Sequence, residues 1–211
     1  MNYYTSDLHF SHGNIVKFCD RPWKKTDAHG NILLDGNGDI IPDIEAMDAA
    51  LIKNWNSRIT DHDHVYVLGD FCFNKTRFVE FLEKLNGIIH IIYGNHDPDN
   101  VHQMTAHLKR KVYFHPLVYT VKDEGRKIVL CHYPIYEWNG YYNGVVHFHG
   151  HTHGSIGKNY HTNAFDVGVD CHDYIPRTYE EIVGDKFVQF KFGKGSARHA
   201  NKTNKPEDRH E

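Results

Sequence analysis

Three apolar runs in the first half of this chain each stop abruptly in polar residues: "NYYTSDLH" (2–9), "HVYVLGD" (64–70) and "GIIHIIYGNHD" (87–97). Such runs read as strands, and the patterns between them are helical. "IVKFC" (15–19) has helical spacing. In "PDIEAMDAALIKNWNSRI" (42–59), Asp43 is placed to cap a helix whose apolar face is Ile44, Met47, Leu51 and Trp55. "KTRFVEFLEKL" (75–85) brings Phe78, Leu82 and Leu85 into register, and a further helix is expected near 98–110. The periodicity then switches to two. "KVYFH", "LVYTV" and "RKIVLCHYP" read as strands with "KDEGR" as a hairpin turn, followed by "VVHFHG", "TNAFDVGVD", a helical turn over 178–182 and a last strand in "KFVQFKFG". The order is βαβαβα first and β-rich afterwards, which makes this an α/β chain. Segment 27–42, with two glycine-turn signals, reads as an exposed hairpin or loop. No internal repeat is evident. One domain is expected over 1–193, and the polar stretch 194–211 lacks any apolar pattern and is expected to be a disordered tail.

Two later runs end the same way, "LCH" at His132 and "GHTH" at His151 and His153. In open α/β sheets, ligands sit outside the carboxyl ends of the strands, so five polar clusters can converge on one edge. Nineteen histidines in 211 residues make the composition unusual in this respect alone. The four cysteines, Cys19, Cys72, Cys131 and Cys171, form no CxxC pair. With no basic, apolar leader, they point to free thiols in a reduced, cytoplasmic protein. No run of eighteen apolar residues exists, so no membrane span is expected. A formal net charge of −3 without a basic block gives no strong nucleic-acid signature. Oligomeric state is not encoded in any visible pattern.

The converging candidates are Asp7, His9, Asp70, Asn95, His132, His151 and His153. Imidazole and carboxylate suit borderline divalent ions such as Mn, Fe, Zn, Co or Ni. Seven donors are too many for one tetrahedral zinc and suit two ions sharing a carboxylate, the arrangement that binds both oxygens of an in-line displacement at phosphorus. Gly69, Gly94 and Gly150 each precede a candidate ligand by one residue, where a missing Cβ lets the chain turn sharply.

At these residues the chain resembles the calcineurin-like metallophosphoesterase superfamily, whose pattern is D-x-H, G-D, G-N-H-[DE], an isolated His and G-H-x-H. Here the motifs stand in that order as "DLH", "GD", "GNHD", "CH" and "GHTH", over residues 7–153. The resemblance implies a two-sheet sandwich with helices on both outer faces. It implies that Asp7, His9 and His153 hold one metal, Asn95, His132 and His151 the other, and that Asp70 bridges them. His96 would face the scissile phosphate, with Asp97 a candidate to orient its ring. Many members continue the second motif as G-D-x-x-[DN]; "GDFCFN" places Phe73 at that position and Asn74 one later. The "DRG" of the protein-phosphatase branch is absent, and "DLHFSHGNI" with "RPW" and "LGDF" looks like the small bacterial and phage members.

The activity implied is hydrolysis of a phosphate ester by a metal-bridging hydroxide, on a small or nucleotide-like substrate. A phosphodiesterase is expected first, a phosphomonoesterase second, and a catalytically silent metal-binding scaffold is the reading of another class. Substrate contacts are weaker candidates. His12 and Asn14 can reach the substrate or support the following helix, and Arg21 and Arg58 can hold a phosphate or form surface ion pairs. His62 and His64 are expected to be solvated, and His161 and His172 are rim candidates. Cys72 and Cys131 are expected to pack in the core. The aromatic stretch 136–144 can stack a base or pack on the sheet, and with 27–42 it is the obvious specificity element. Within "HFHGHTHG", His149 is expected to support a ligand and His147 to be structural.

Overall fold

The computed structural model describes residues 1–98, 101–106, 108, 112–156 and 163–186. The expected strand at 186–193, the tail 194–211 and His161 lie outside the described residues, apart from Lys186. Four strands, β1 (Asn2–Thr5), β2 (His64–Leu68), β3 (Ile88–Ile92) and β4 (Val112–His115), form one parallel sheet in that order. A second sheet takes β5 (Val118–Asp123), β6 (Arg126–Cys131), β7 (Val146–His149) and β8 (Ala164–Asp166), with only β5 and β6 antiparallel. Five helices accompany them among the described residues: α1 (Gly13–Phe18), α2 (Ile44–Asn56), α3 (Phe78–Lys84), α4 (Val101–Thr105) and α5 (Tyr179–Val183). None is long and apolar enough to cross a membrane.

The alternation of side chains along each strand divides the core. Val65 and Val67 of β2, with Ile89 and Ile91 of β3, pack with Met47, Leu51 and Trp55 of α2 and Phe78, Phe81 and Leu82 of α3. Asp43 caps α2 by accepting from Ala46 N, as its place before the apolar stripe predicts. The intervening residues Tyr66, Leu68 and Ile92 join Ile128 and Leu130 of β6 and Phe148 of β7 in a second cluster, which also takes Ile182 and Val183 of α5. Where helices were expected over both sheets, the opposite face of β7 carries part of the loop after β6: buried His147 bonds Val129 O and Ile135 N and sits 5.0 Å from the Trp138 ring. Aromatic stretch 136–144 thus packs on the sheet through Trp138, while Tyr136 and Tyr142 stay exposed.

Segment 24–42 corrects the expectation of no repeat. "TDAHGNIL" (26–33) and "LDGNGDII" (34–41) are two copies of an eight-residue turn. In each, an aspartate carboxylate, Asp27 or Asp35, accepts from the amides two and four residues on. Lys25, Leu33 and Ile41, spaced by eight, close a ring of backbone bonds: Lys25 N to Ile41 O, Ile41 N to Leu33 O and Leu33 N to Lys25 O, at 2.8–3.0 Å. The degenerate side chains between Asp and Gly hide this repeat from a search by residue identity. His64 is likewise not simply solvated: it heads a chain of imidazoles across β2, β3 and β4, 2.8 Å to His90 and then 2.9 Å to His115.

Candidate metal centre

All five polar clusters follow the carboxyl ends of β1, β2, β3, β6 and β7, and backbone bonds zip the first two together. Asp7 N donates to Gly69 O, His9 N to Asp70 O and Phe10 N to Phe71 O, at 3.1, 2.9 and 3.0 Å. His151 N donates to Asp7 Oδ2 at 2.9 Å, and His96 N to Asp70 Oδ1 at 2.9 Å. Asp7, His9, Asp70, His151 and His153 all have left-handed backbones, with φ between 47° and 68°. Non-glycine residues rarely adopt this conformation, at a cost of about 1–3 kcal/mol each, and such strain collects where surrounding structure fixes a functional geometry. Two glycines permit the crowding. A Cβ on Gly94 would fall on Asp70 Oδ1 and the Asp70 amide, and one on Gly150 would fall on Ser6 Oγ and Asp7 Oδ2.

The donor atoms form a chain. His153 Nε2 to Asp7 Oδ1 is 3.9 Å, Asp7 Oδ1 to His9 Nε2 3.9 Å, His9 Nε2 to Asp70 Oδ2 3.6 Å, and Asp70 Oδ2 to His132 Nε2 3.7 Å. These gaps are too long for hydrogen bonds and of the order that separates two ligands of one ion with bonds of about 2 Å. Asp7 Oδ1 and His9 Nε2 are buried and have no hydrogen-bond partner. Three groups of described residues could each hold an ion: Asp7 with His9 and His153, Asp7 with Asp70 and His132, and Cys19 with His153 and Asp170.

His132 strengthens the fit. Its Nδ1–H donates to Leu68 O at 2.7 Å, so a neutral ring presents a bare lone pair at Nε2. Burial keeps it neutral by lowering its pKa. That lone pair faces Asn95 Oδ1 at 2.9 Å and Asp70 Oδ2. Such a set of acceptor atoms is one that a cation draws together. The His151 ring lies 5.1 Å, centroid to centroid, from that of His132. His9 is also pushed to the neutral form by burial, well below the ordinary histidine range, while burial raises Asp7 to about 7 against the pull of His153. His153 behaves oppositely: burial disfavours its charge, but the 2.7 Å bond from Nδ1 to Asp170, with Cys19 and Asp7 nearby, raises it to about 10.

A cavity of about 630 Å³ opens over His9, Asp70, Asn95, His96, His151 and His153, and the exposed His96 ring stands 5.9 Å from that of His9. Three expectations need correction. Asp97 does not orient His96: both carboxylate oxygens are taken by the amides of Asp70, Phe71 and Gly94, at 2.8–3.0 Å, so it ties the second and third motifs together. Arg21 is fully buried, and its guanidinium is spent on the carbonyls of Asp7 and Leu8 and on both oxygens of Asp170. It holds no substrate and is no surface residue. Asn14 is exposed in the first turn of α1 and lines no part of this cavity. His12 does line it; the residue occupies the N-cap position without a side-chain cap and sets its Nδ1 3.3 Å from His9 Nδ1. Arg58 pairs with Glu181 at 2.8 Å, His172 bonds Asp166 O, and His149 Nδ1 bonds Gly150 O.

A sixth strand end escaped sequence reading. At the end of β8, "DVGVD" supplies Asp166, the last residue of the strand, which accepts from Thr152 Oγ1, Gly154 N and Gly168 N, and Asp170, which joins His153 to Arg21. Its signal was the same as the others, an apolar run ending in acid and glycine.

No family model matches the chain. It is 31% identical over 189 residues to the uncharacterized protein MJ1445 of Methanocaldococcus jannaschii, covering 86% of this chain and 88% of that one. It is 26% identical to the Gene 66 protein of Mycobacterium phage D29, over 87% of this chain and 96% of that one. Among solved structures, the protein of unknown function AQ665 from Aquifex aeolicus shares the fold, with a TM-score of 0.59 at 22% identity, over 86% of this chain and 96% of that one.

Proposed function

The chain belongs to one family with the archaeal protein MJ1445, and for its function we propose a phosphodiesterase of the metallophosphoesterase type, built on a two-sheet sandwich and dependent on two divalent ions. The observation that carries this reading is the pair of orphaned buried atoms, Asp7 Oδ1 and His9 Nε2, at the head of a chain of acceptors that ends at His132 and Asn95. Asp7, His9 and His153 would hold one ion, and Asn95, His132 and His151 the other, with Asp70 between them. Bound ions of this kind activate a water near neutral pH and draw charge off the phosphoryl oxygens.

The protein groups then have separate tasks. Asp170, fixed by Arg21, holds the Nδ1 proton of His153 and turns its Nε2 inward. His96, whose backbone is tied to Asp70, presents an exposed ring to the cavity, where it donates a proton to the leaving oxygen or, as imidazolium, neutralises the phosphoryl group. The test is hydrolysis of bis(4-nitrophenyl) phosphate against 4-nitrophenyl phosphate. Turnover is expected to vanish with a chelator, to return with Mn²⁺ and to favour the diester. Two bound metals with neither ester cleaved would instead identify a scaffold.

The pKa shifts set the sign of the metal's pH dependence. His153 must lose its Nε2 proton to become a ligand, and it holds that proton up to about pH 10; Asp7 holds one up to about pH 7. Metal binding therefore releases protons, and affinity should climb by about tenfold per pH unit between 7 and 9 and more steeply below 7. Competition with a chromophoric chelator from pH 6 to 9 reads this slope, and a flat profile would contradict it.

A further inference from the structure

Phe73 stands where the family pattern has an aspartate or asparagine, and its surroundings give the replacement a use. Its ring lies flat on that of His12, with centroids 4.0 Å apart and planes 7° apart. His12 therefore covers one face and the His96 ring stands 5.8 Å away at 53°, yet Phe73 remains 47% exposed, which leaves ring surface open to the cavities. Its amide donates to Phe10 O at 3.0 Å, which fixes it to the strip that carries Asp7 and His9. Two cavities meet at this ring. The larger one, about 630 Å³, contains the candidate ligands; a second of about 550 Å³ runs past Ser11, Asn74 and Lys75. Phe73, Asn95 and His96 line both. These three residues therefore stand between a phosphorus placed in the first cavity and the space of the second. A second exposed aromatic residue, Phe18, borders the larger cavity, whereas no residue of 27–42 or 136–144 lines either one.

A rigidly held aromatic ring with open surface is a stacking platform, and every planar heterocycle offers it a matching face. We propose that Phe73 is a specificity-determining residue that stacks a planar ring of the substrate, so that the esters taken at this site are nucleotide-like rather than aliphatic. This rests on the phosphoesterase reading for the position of the phosphate, but binding tests it apart from hydrolysis. Titration calorimetry on the Mn²⁺-loaded protein compares adenosine 5′-monophosphate with ribose 5-phosphate, which lacks only the base. Wild type should bind the nucleotide about tenfold or more tighter. Phe73→Ala should erase that gap while keeping its metal content, and Phe73→Trp should preserve it. Equal affinities in wild type, absence of binding by either ligand, or a gap that survives Phe73→Ala would overturn the proposal. A gap that closes as expected in a protein that cleaves no ester would leave the platform standing and remove the hydrolase.

Discussion

Asp70→Asn is expected to lower phosphodiester turnover on the order of 10³-fold and to deplete both metals, with the fold intact. Asp70 Oδ2 lies 3.6 Å from His9 Nε2 and 3.7 Å from His132 Nε2, so one oxygen stands between a donor of each proposed ion. Its Oδ1 accepts the His96 amide. The asparagine keeps an acceptor for that amide and removes the charge, which separates metal binding from the placing of His96. A residue that merely supports a ligand is worth about 10–100-fold, and a shared ligand should exceed that. Because Asp70 and Asp7 repel each other within the buried site, the variant should be at least as heat-stable as wild type when a chelator is present. Elemental analysis, initial rates and thermal melts read the three effects. Normal metal content with near-normal turnover would remove Asp70 from the centre.

Asp70 was legible in the sequence for a local reason. A strand of apolar residues ends, a glycine follows and an acid stands next, all within seven residues, and the sheet edge does the rest of the placing. Asn95 and His151 likewise follow a glycine past a strand end, and Asp7 and His132 stand just past strand ends without one. Partners chosen across the chain left no such mark. Asp97 reads as a neighbour of His96, but the amides it accepts from include those of Asp70 and Phe71, 27 and 26 residues away. His64 reads as a loop-end histidine because its partners, His90 and His115, arrive from two other strands. The repeat at 26–41 is local, yet what repeats is a backbone path set by an Asp and a Gly, with the positions between left to vary.

Arg21 is the extreme case, and its substitution is the second large effect. The partner that defines its role, Asp170, is 149 residues away. Arg21→Met is expected to destabilise the protein by about 3–5 kcal/mol, because it leaves the buried Asp170 carboxylate without its bidentate cation and two carbonyls without donors. For a chain of this length that is roughly a 6–20 °C fall in melting temperature. Arg21→Lys should rescue little, since an ammonium cannot span both oxygens of Asp170 and the carbonyls of Asp7 and Leu8 together. The loss should also reach the metal centre. Asp170 holds His153 through Nδ1, and Arg21 braces the very segment that carries Asp7 and His9, so metal affinity should drop about 10–100-fold in whatever fraction stays folded. Adding Asp170→Asn to Arg21→Met removes the carboxylate that is then left with His153 as its partner. The double variant should recover part of the stability and none of the metal affinity, since His153 would lose its charged partner as well. A double variant no more stable than Arg21→Met would mean that the carbonyl contacts, and not the buried ion pair, are what Arg21 supplies.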